Sequence, residues 1–303
     1  MLPPKKWSLF VSLLCLLSFY SSANNSIYTT WNIEWLSDTP SEQFSSSQRN
    51  EDDYLALSRH FDSIAPKVLA FQEVNDPVAL ERVIGSDYQL FFSQRSLPSN
   101  RKHQFDEINQ YTGFAVQKGI NVSNREDFRL DSSSNSKLRF ATYIVLNPNS
   151  AHSVHALSVH LKARCSGAYR NSRDCKTLKE QGKNLNLWIR ERESNGESYV
   201  ILGDFNHNLS YQGDWLWKEM TQGTSARLAS KQTKAECKVK SRNNPKRTHQ
   251  FRSLIDHIVV SEALTTTKPE QNVFPVSDVL DYTLSDHCPL SVQVHEELFI
   301  SRG

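Results

Sequence analysis

The stretch ILGDFNHN, residues 201–208, poses the problem of this chain. An apolar run, Val200-Ile201-Leu202, stops at Gly203, and Asp204, Asn206, His207 and Asn208 follow at once. A short β-branched run that ends abruptly in polar groups reads as a buried strand delivering side chains to a surface. Asp204 and Asn206 are two apart, so a strand end would project both toward one point. Gly203 would let the backbone turn there with no side chain in the way.

The same pattern recurs along the chain. Ile27–Trp31 ends at Asn32 and Glu34, Val68–Phe71 at Glu73, and Val154–Val159 at His160 and Lys162. Asp256 and His257 precede Ile258, and LSDHCPL places Asp286 and His287 just before the run Leu290–Val294. A single Asp or Asn after a strand is ordinarily a turn residue. Carboxylates, amides and histidines at the ends of separate strands are harder to assign to turns, because sites in layered α/β proteins are built at strand ends. Oxygen donors suit a hard cation such as Mg²⁺, which takes one or two carboxylates and leaves positions for phosphate. Histidines beside it can move protons or hold a phosphoryl oxygen. The set points to metal-assisted phosphodiester hydrolysis. His257 would face the opposite side of a strand from Asp256 and reads as structural; His207 and His249 receive no role.

Between these runs the chain alternates strand-like and helix-like segments. Tyr54, Leu57, Phe61 and Ile64 recur at helical spacing, and Pro66 ends that helix. A second helix opens at Asp76-Pro77 and closes at Gly85. Gly113–Val116 and Phe140–Leu146 read as strands, and Leu178, Leu185, Trp188 and Ile189 mark a helix ending near Arg192. Ser93–Gln110 is polar and reads as a loop. So does Lys231–Arg252, whose eight Lys and Arg face the single acid Glu236. That stretch reads either as a solvated loop or as one that tracks phosphates. Many strands with few helices between them imply two packed sheets with helices outside, an α/β or α+β layered domain.

Composition bounds the rest. Lys5 and Lys6, the apolar run Trp7–Tyr20 and the small residues Ser21-Ser22-Ala23 form a secretory signal peptide over residues 1–23. The run is short for a membrane span; an uncleaved anchor is the alternative. Residues 24–303 remain as one domain. Losing Lys5 and Lys6 takes Lys+Arg from 35 to 33 against 33 Asp+Glu, so any electrostatic steering must be local. Cys165, Cys175, Cys237 and Cys288 are an even set in an exported chain and allow three disulfide pairings. Cys165 with Cys175 closes a short loop, and Cys237 with Cys288 follows by elimination. Zinc competes, but none of the four sits in a C-x-x-C pair.

The motifs WNIEWL, FQEV, YTGFAV, SVHLK, GDFN, IDHI and SDHCP, in this order, resemble the endonuclease/exonuclease/phosphatase superfamily from about Thr29 to Val294. The resemblance implies a four-layer sandwich of two packed mixed β-sheets flanked by helices. It implies that Glu73, with Asp286, Glu34 and Asn32, holds Mg²⁺, or in its place Mn²⁺ or Ca²⁺. It implies that Asp204 and Asn206 position or deprotonate the attacking water, that His287, oriented by Asp256, acts in proton transfer, and that His160 and Tyr111 face the phosphate. Arg139, Asn32 and Lys162 are the expected phosphate-binding groups. The function expected is an exported nuclease, secreted or periplasmic, cutting DNA without sequence specificity as a monomer, with no stable membrane association once the signal is removed. A sphingomyelinase-type lipid phosphodiesterase is the alternative, with Trp215-Leu216-Trp217 as its lipid-facing stretch unless that stretch is buried. A non-catalytic phosphate-binding module is the third reading, and it predicts missing catalytic residues.

Overall fold

The strand that ends in Asp204 is buried on both faces. Val200 and Leu202 pack into one core, Tyr199 and Ile201 into another, the alternation expected of a strand covered on both sides. In a computed structural model describing residues 25–295, every strand of the notional sandwich can be placed. The chain runs through β1 (Asn25–Leu36), α1 (Glu51–Ile64), β2 (Val68–Val74), α2 (Pro77–Ile84), β3 (Tyr88–Phe92), β4 (Tyr111–Gln117), β5 (Val122–Asn124), β6 (Thr142–Leu146) and β7 (Val154–His160). It continues through α3 (Arg173–Ser194), β8 (Ser198–Asp204), α4 (Trp215–Thr221), β9 (Arg227–Leu228), β10 (Lys238–Ser241), β11 (Asn244–Gln250), β12 (Asp256–Val260), β13 (Glu270–Gln271), α5 (Val276–Asp281) and β14 (Leu290–His295). The expected signal peptide, residues 1–23, lies outside the described residues.

Two six-stranded mixed sheets result, ordered β13-β14-β1-β2-β4-β3 and β5-β6-β7-β8-β12-β9. Tyr28, Val68, Ala70 and Phe114 of the first meet Ile144, Ala156, Val200 and Ile258 of the second. The outer face of the first sheet, with Trp31, Leu69 and Phe71, packs on Leu57, Phe61, Leu80 and Val83 of α1 and α2. The outer face of the second packs on Leu178, Leu185, Ile189 and Leu216 of α3 and α4. This is the expected four-layer sandwich. Local signals set the helix ends. Asn50 and Asp53 close a reciprocal capping box on α1, and Asp76 caps α2 with Pro77 in its first turn.

Three readings are corrected. Lys231–Arg252 is not a loop throughout: β10 and β11 form an antiparallel hairpin, whose alternation is hidden because nearly every β11 side chain is exposed. Tyr88–Phe92, unmarked in the sequence reading, is the edge strand β3. None of its residues is fully buried, as suits an edge strand, although Leu90-Phe91-Phe92 is a short apolar run. Gly203 is a strand residue rather than a turn. A Cβ there would lie 2.0 Å from the Val159 carbonyl oxygen, so the glycine is needed for close approach of two strands.

The Trp215–Trp217 stretch opens α4, with Leu216 fully buried and both tryptophans packed against the second core. Cys165 is bonded to Cys175, and Cys237 to Cys288. No helix among the described residues is long and apolar enough to cross a membrane.

Candidate active site

At one end of the sandwich the inter-sheet contact turns from apolar to polar. Gln72 donates to Ser158 Oγ at 3.1 Å and accepts from Thr30 Oγ1 at 3.2 Å, bridging the sheets. One or two residues further along these strands stand Asn32, Glu73 and His160. β1 runs parallel to β2 and β7 parallel to β8, so the C-terminal ends of all four converge. β12 is antiparallel to β8 and sets Asp256 opposite Asp204.

Asp204 is the centre of what they build. Its Oδ2 accepts from Asn32 Nδ2 at 3.2 Å and Asn206 Nδ2 at 3.1 Å, and its Oδ1 accepts the Asn206 N–H at 2.7 Å. His160 Nε2 stands 3.4 Å from Asp204 and 3.6 Å from Glu73. His287 Nδ1 lies 2.8 Å from Asp256, and its Nε2 is 3.8 Å from both Asp204 and Asp286. Asn32 also donates to Glu73 at 3.2 Å, and its Oδ1 accepts the Glu34 N–H at 3.0 Å. Glu34 Oε2 accepts the Asp286 N–H at 2.8 Å.

Glu34, Glu73 and Asn206 have backbone φ of 43°, 59° and 51°. Left-handed backbone is unfavourable for residues with a Cβ and collects at functional positions. Here Glu34 and Glu73 sit where the pairing of β1 and β2 shifts register, and Asn206 just past β8, and each side chain reaches the cluster.

Burial and charge divide the titratable groups. Burial lifts Asp204 to about 7 against the opposing charge of His287. Burial, then the Asp286 charge, pushes Glu34 to about 7, and burial raises Glu73. The histidines separate. Burial, with the Arg139 and His287 charges, holds His160 well below its ordinary value, as a neutral imidazole. Burial also disfavours charge on His287, but Asp256, Asp204 and Asp286 overcome it and keep the ring protonated well above the ordinary value.

Acids that resist ionisation when packed together are the donor set a hard cation relieves, and Glu34, Glu73 and Asp286 fit Mg²⁺-type ligation by oxygen. Asp204, Asp256 and His287 also bring donor atoms within 4.8 Å of one another. A protonated imidazole has no lone pair to give, so within that group only the acids can serve. Buried atoms of His160 (Nδ1), Asp256 (Oδ1) and Arg139 (Nε) have no hydrogen-bond partner within the protein, a condition uncommon for buried polar atoms.

The structure thus joins Asn32, Glu34, Glu73, Arg139, His160, Asp204, Asn206, Asp256, Asp286 and His287. Arg139 and Asn206 share the Leu161 carbonyl, at 3.4 and 3.1 Å. Three expectations change. Lys162 is spoken for: its ammonium pairs with Asp174 at 2.8 Å. Asn32 spends both amide hydrogens on Glu73 and Asp204, so it spaces two acids instead of gripping phosphate. Tyr111, at the start of β4, has its ring 5.4 Å from the Arg95 guanidinium and makes no hydrogen bond to the cluster, so the structure does not join it to the phosphate-facing groups.

Sequence reasoning missed Arg49. It donates to the carbonyls of Ile33, Glu34, Thr283 and Leu284, clamping the end of β1 that carries Glu34 to the loop that carries Asp286. It sits in a turn of exposed polar residues, and nothing local marks it. Ser285 was in view within SDHCP; it donates to the Asn32 carbonyl at 2.7 Å and accepts the His287 N–H at 3.0 Å. His257 is structural as expected, fully buried between Ser230 and the Leu209 N–H. His207 is equally buried, between Asp214 and the Cys165 carbonyl.

From Glu34 and Asp286 an open groove of about 780 Å³ leads outward, between β10–β11 on one side and α5 with the following loop on the other. Lys240, Arg242 and His249 line it.

The sequence profile described as the Endonuclease/Exonuclease/phosphatase family matches residues 29–287. Among solved structures, truncated Caenorhabditis elegans TDP2 aligns with a TM-score of 0.59 at 15% identity, covering 90% of this chain and 98% of that one. An endonuclease/exonuclease/phosphatase from Bacteroides vulgatus aligns with a TM-score of 0.62 at 14% identity, over 90% and 99% of the two chains. A mannosyl-6-phosphatase from Bacteroides thetaiotaomicron aligns with a TM-score of 0.58 at 12% identity, over 89% and 99%. No curated protein sequence matches significantly.

Proposed function

Because the chain belongs to the Endonuclease/Exonuclease/phosphatase family, we propose that it is an exported, divalent-metal-dependent phosphodiesterase acting on nucleic acid, DNA above all. Its fold is that of phosphoesterases, and members of the family are typically dependent on a divalent metal. The observation that carries the polymeric substrate is the groove: it runs from the acids into a basic hairpin, which suits a phosphate chain longer than the bond being cut. A small phosphomonoester would need no such extension. The buried position of Leu216 and the packing of its neighbours leave no aromatic lipid-facing loop there, which disfavours the sphingomyelinase reading.

In this reading Glu34, Glu73 and Asp286 hold Mg²⁺ or a similar cation, which when bound polarises the phosphoryl oxygens. Asp204, oriented by Asn32 and Asn206, accepts the proton of the attacking water. A carboxyl near 7 is well matched to that task at neutral pH. Protonated His287 donates to the phosphate, and Asp256 fixes its ring. Neutral His160 offers an uncharged donor on the same side, and Arg139 adds a fixed positive charge. Export is supported by the signal-like residues 1–23 and by two disulfides, which persist in oxidising compartments.

Circular DNA, both single-stranded and supercoiled, tests this. Cleavage of a circle in Mg²⁺, abolished by EDTA and by Asp204→Ala, is the expected result and requires internal attack. Folded protein that leaves both circles intact across Mg²⁺, Mn²⁺ and Ca²⁺ would remove the nuclease reading.

A further inference from the structure

Resting on that nuclease reading, we propose that the groove beside the hairpin is a nucleobase-stacking subsite that binds an unpaired strand on one side of the scissile bond. Phe251 is the residue that carries this. Its ring lines the groove and is 39% exposed. Other residues secure the hairpin: Cys237 and Val239 pack into the first core, of which Phe251 is not a member. The Phe251 ring meets that of His249 edge-on, with centroids 5.4 Å apart and planes at 87°, which limits the orientations it can take. Lys240 donates to the Tyr282 carbonyl across the groove at 3.4 Å, so a cation is held near the aromatic surface.

Alternating cations and exposed ring faces recognise unpaired nucleotides: the cations follow phosphates, and the rings stack on bases. Bases within a duplex offer only their edges to a protein. A face-on platform is therefore of use to a single strand and of little use to a double helix.

The platform is also tied to the chemistry. The Phe251 N–H donates to the Cys237 carbonyl at 3.3 Å. Cys237 is bonded to Cys288, with Cα atoms 5.6 Å apart, and Cys288 directly follows His287. One hydrogen bond and one disulfide thus connect the ring to the histidine that faces the reacting phosphate. A base stacked on Phe251 would fix the register of the strand against the cluster.

The test uses the mature, disulfide-bonded protein with three substrates: a single-stranded oligonucleotide, the blunt duplex of the same sequence, and bis(p-nitrophenyl) phosphate. Wild-type protein is expected to favour the single strand. Phe251→Ala should raise KM for the single strand by roughly 5- to 100-fold, as loss of one stacked base implies. That loss should exceed any loss on the small diester by the same factor, and Phe251→Trp should restore it. Melting temperatures verify that each variant is folded. An equal loss on all three substrates would mean that Phe251 supports the fold or the cluster and overturns the subsite. So would a preference for duplex, or an unchanged KM on the single strand. If wild-type protein cleaves the small diester but neither polynucleotide, the nuclease reading itself has failed. If it cleaves polynucleotide and Phe251→Ala is silent, only the subsite falls.

Discussion

Gly203→Ala would place a Cβ 2.0 Å from the Val159 carbonyl oxygen and 2.8 Å from the Val159 carbonyl carbon and Cγ2. Real Cβ contacts are essentially never under 3.0 Å, so β7 and β8 must separate locally by about 1 Å. The obstacle is backbone and cannot rotate away. Overpacking of this kind costs about 1–3 kcal/mol, which corresponds to a fall in Tm of roughly 2–12 °C for a domain of this size. The next residues in register are His160 and Asp204. Their side chains stand 3.4 Å apart, so the separation falls on the reacting geometry. Misplacement by about 1 Å can cost on the order of 100-fold in rate. Gly182→Ala is the matched control. Its Cβ would meet Leu216 Cδ1 at 2.7 Å, overpacking α3 against α4 well away from the cluster. Gly203→Ala should melt lower by differential scanning fluorimetry, whereas in Gly182→Ala the Leu216 side chain can give and the helix-interior alanine offsets the clash; only Gly203→Ala should lose its turnover at a temperature where both are folded. Full activity in Gly203→Ala, with an unchanged Tm, would refute the claim that the parallel β7–β8 pairing sets the site.

His287→Ala and Asp256→Asn should each lower kcat by about 10²- to 10⁴-fold, the range for loss of a positioned proton-transfer group; single-turnover kinetics at a temperature where each variant is folded would show it. In metal-free protein, Glu34 and Asp204 hold protons up to about pH 7 that the unfolded chain releases near pH 4. Their stabilising contribution is complete below about pH 4 and lost as pH rises through 7, on the order of 3 kcal/mol each. Raised His287 acts in the same direction. Buried, neutral His160 and His257 act in the opposite one, so urea unfolding in EDTA should show Glu34→Gln losing less stability than wild type between pH 5 and pH 8, and added Mg²⁺ should stabilise the wild type most at the higher pH. Removing Cys237–Cys288 should cost about 4 kcal/mol, against about 3 kcal/mol for Cys165–Cys175, because the loops closed differ in length, with separations of 51 and 10; matched double Cys→Ser variants compared by urea titration would decide it.

Much of the site was legible because it is written at strand ends. An apolar run that stops at Glu73, His160 or Asp204 announces both the strand and the group it delivers, so burial pattern and chemistry share one signal. Order along the chain then supplied the architecture. What stayed hidden depends on partners distant in sequence. Lys162 looks like a phosphate ligand until Asp174, twelve positions on, takes its charge. Arg49 looks like a surface residue until four carbonyls, two from β1 and two from the loop after α5, close on it. Arg95 lies in a polar stretch that reads as loop, yet it is fully buried and donates to Asn109 and the carbonyls of His103 and Lys137. Hairpin β10–β11 escaped because an exposed strand need not be apolar.

The pairing of β1 with β14 joins Asn25 to His295 and Thr30 to Leu290, contacts that span nearly the whole described chain. Contacts of such separation form slowly, since loop closure must be met before they return anything. Glu34 and Glu73 leave the ribosome early and Asp286 and His287 late. On the proposed mechanism a half-made chain holds these acids without His287 and cannot yet turn over substrate. Hydrolytic competence would then arrive with the segment leading into β14, and its recovery after denaturation would time the last step of folding.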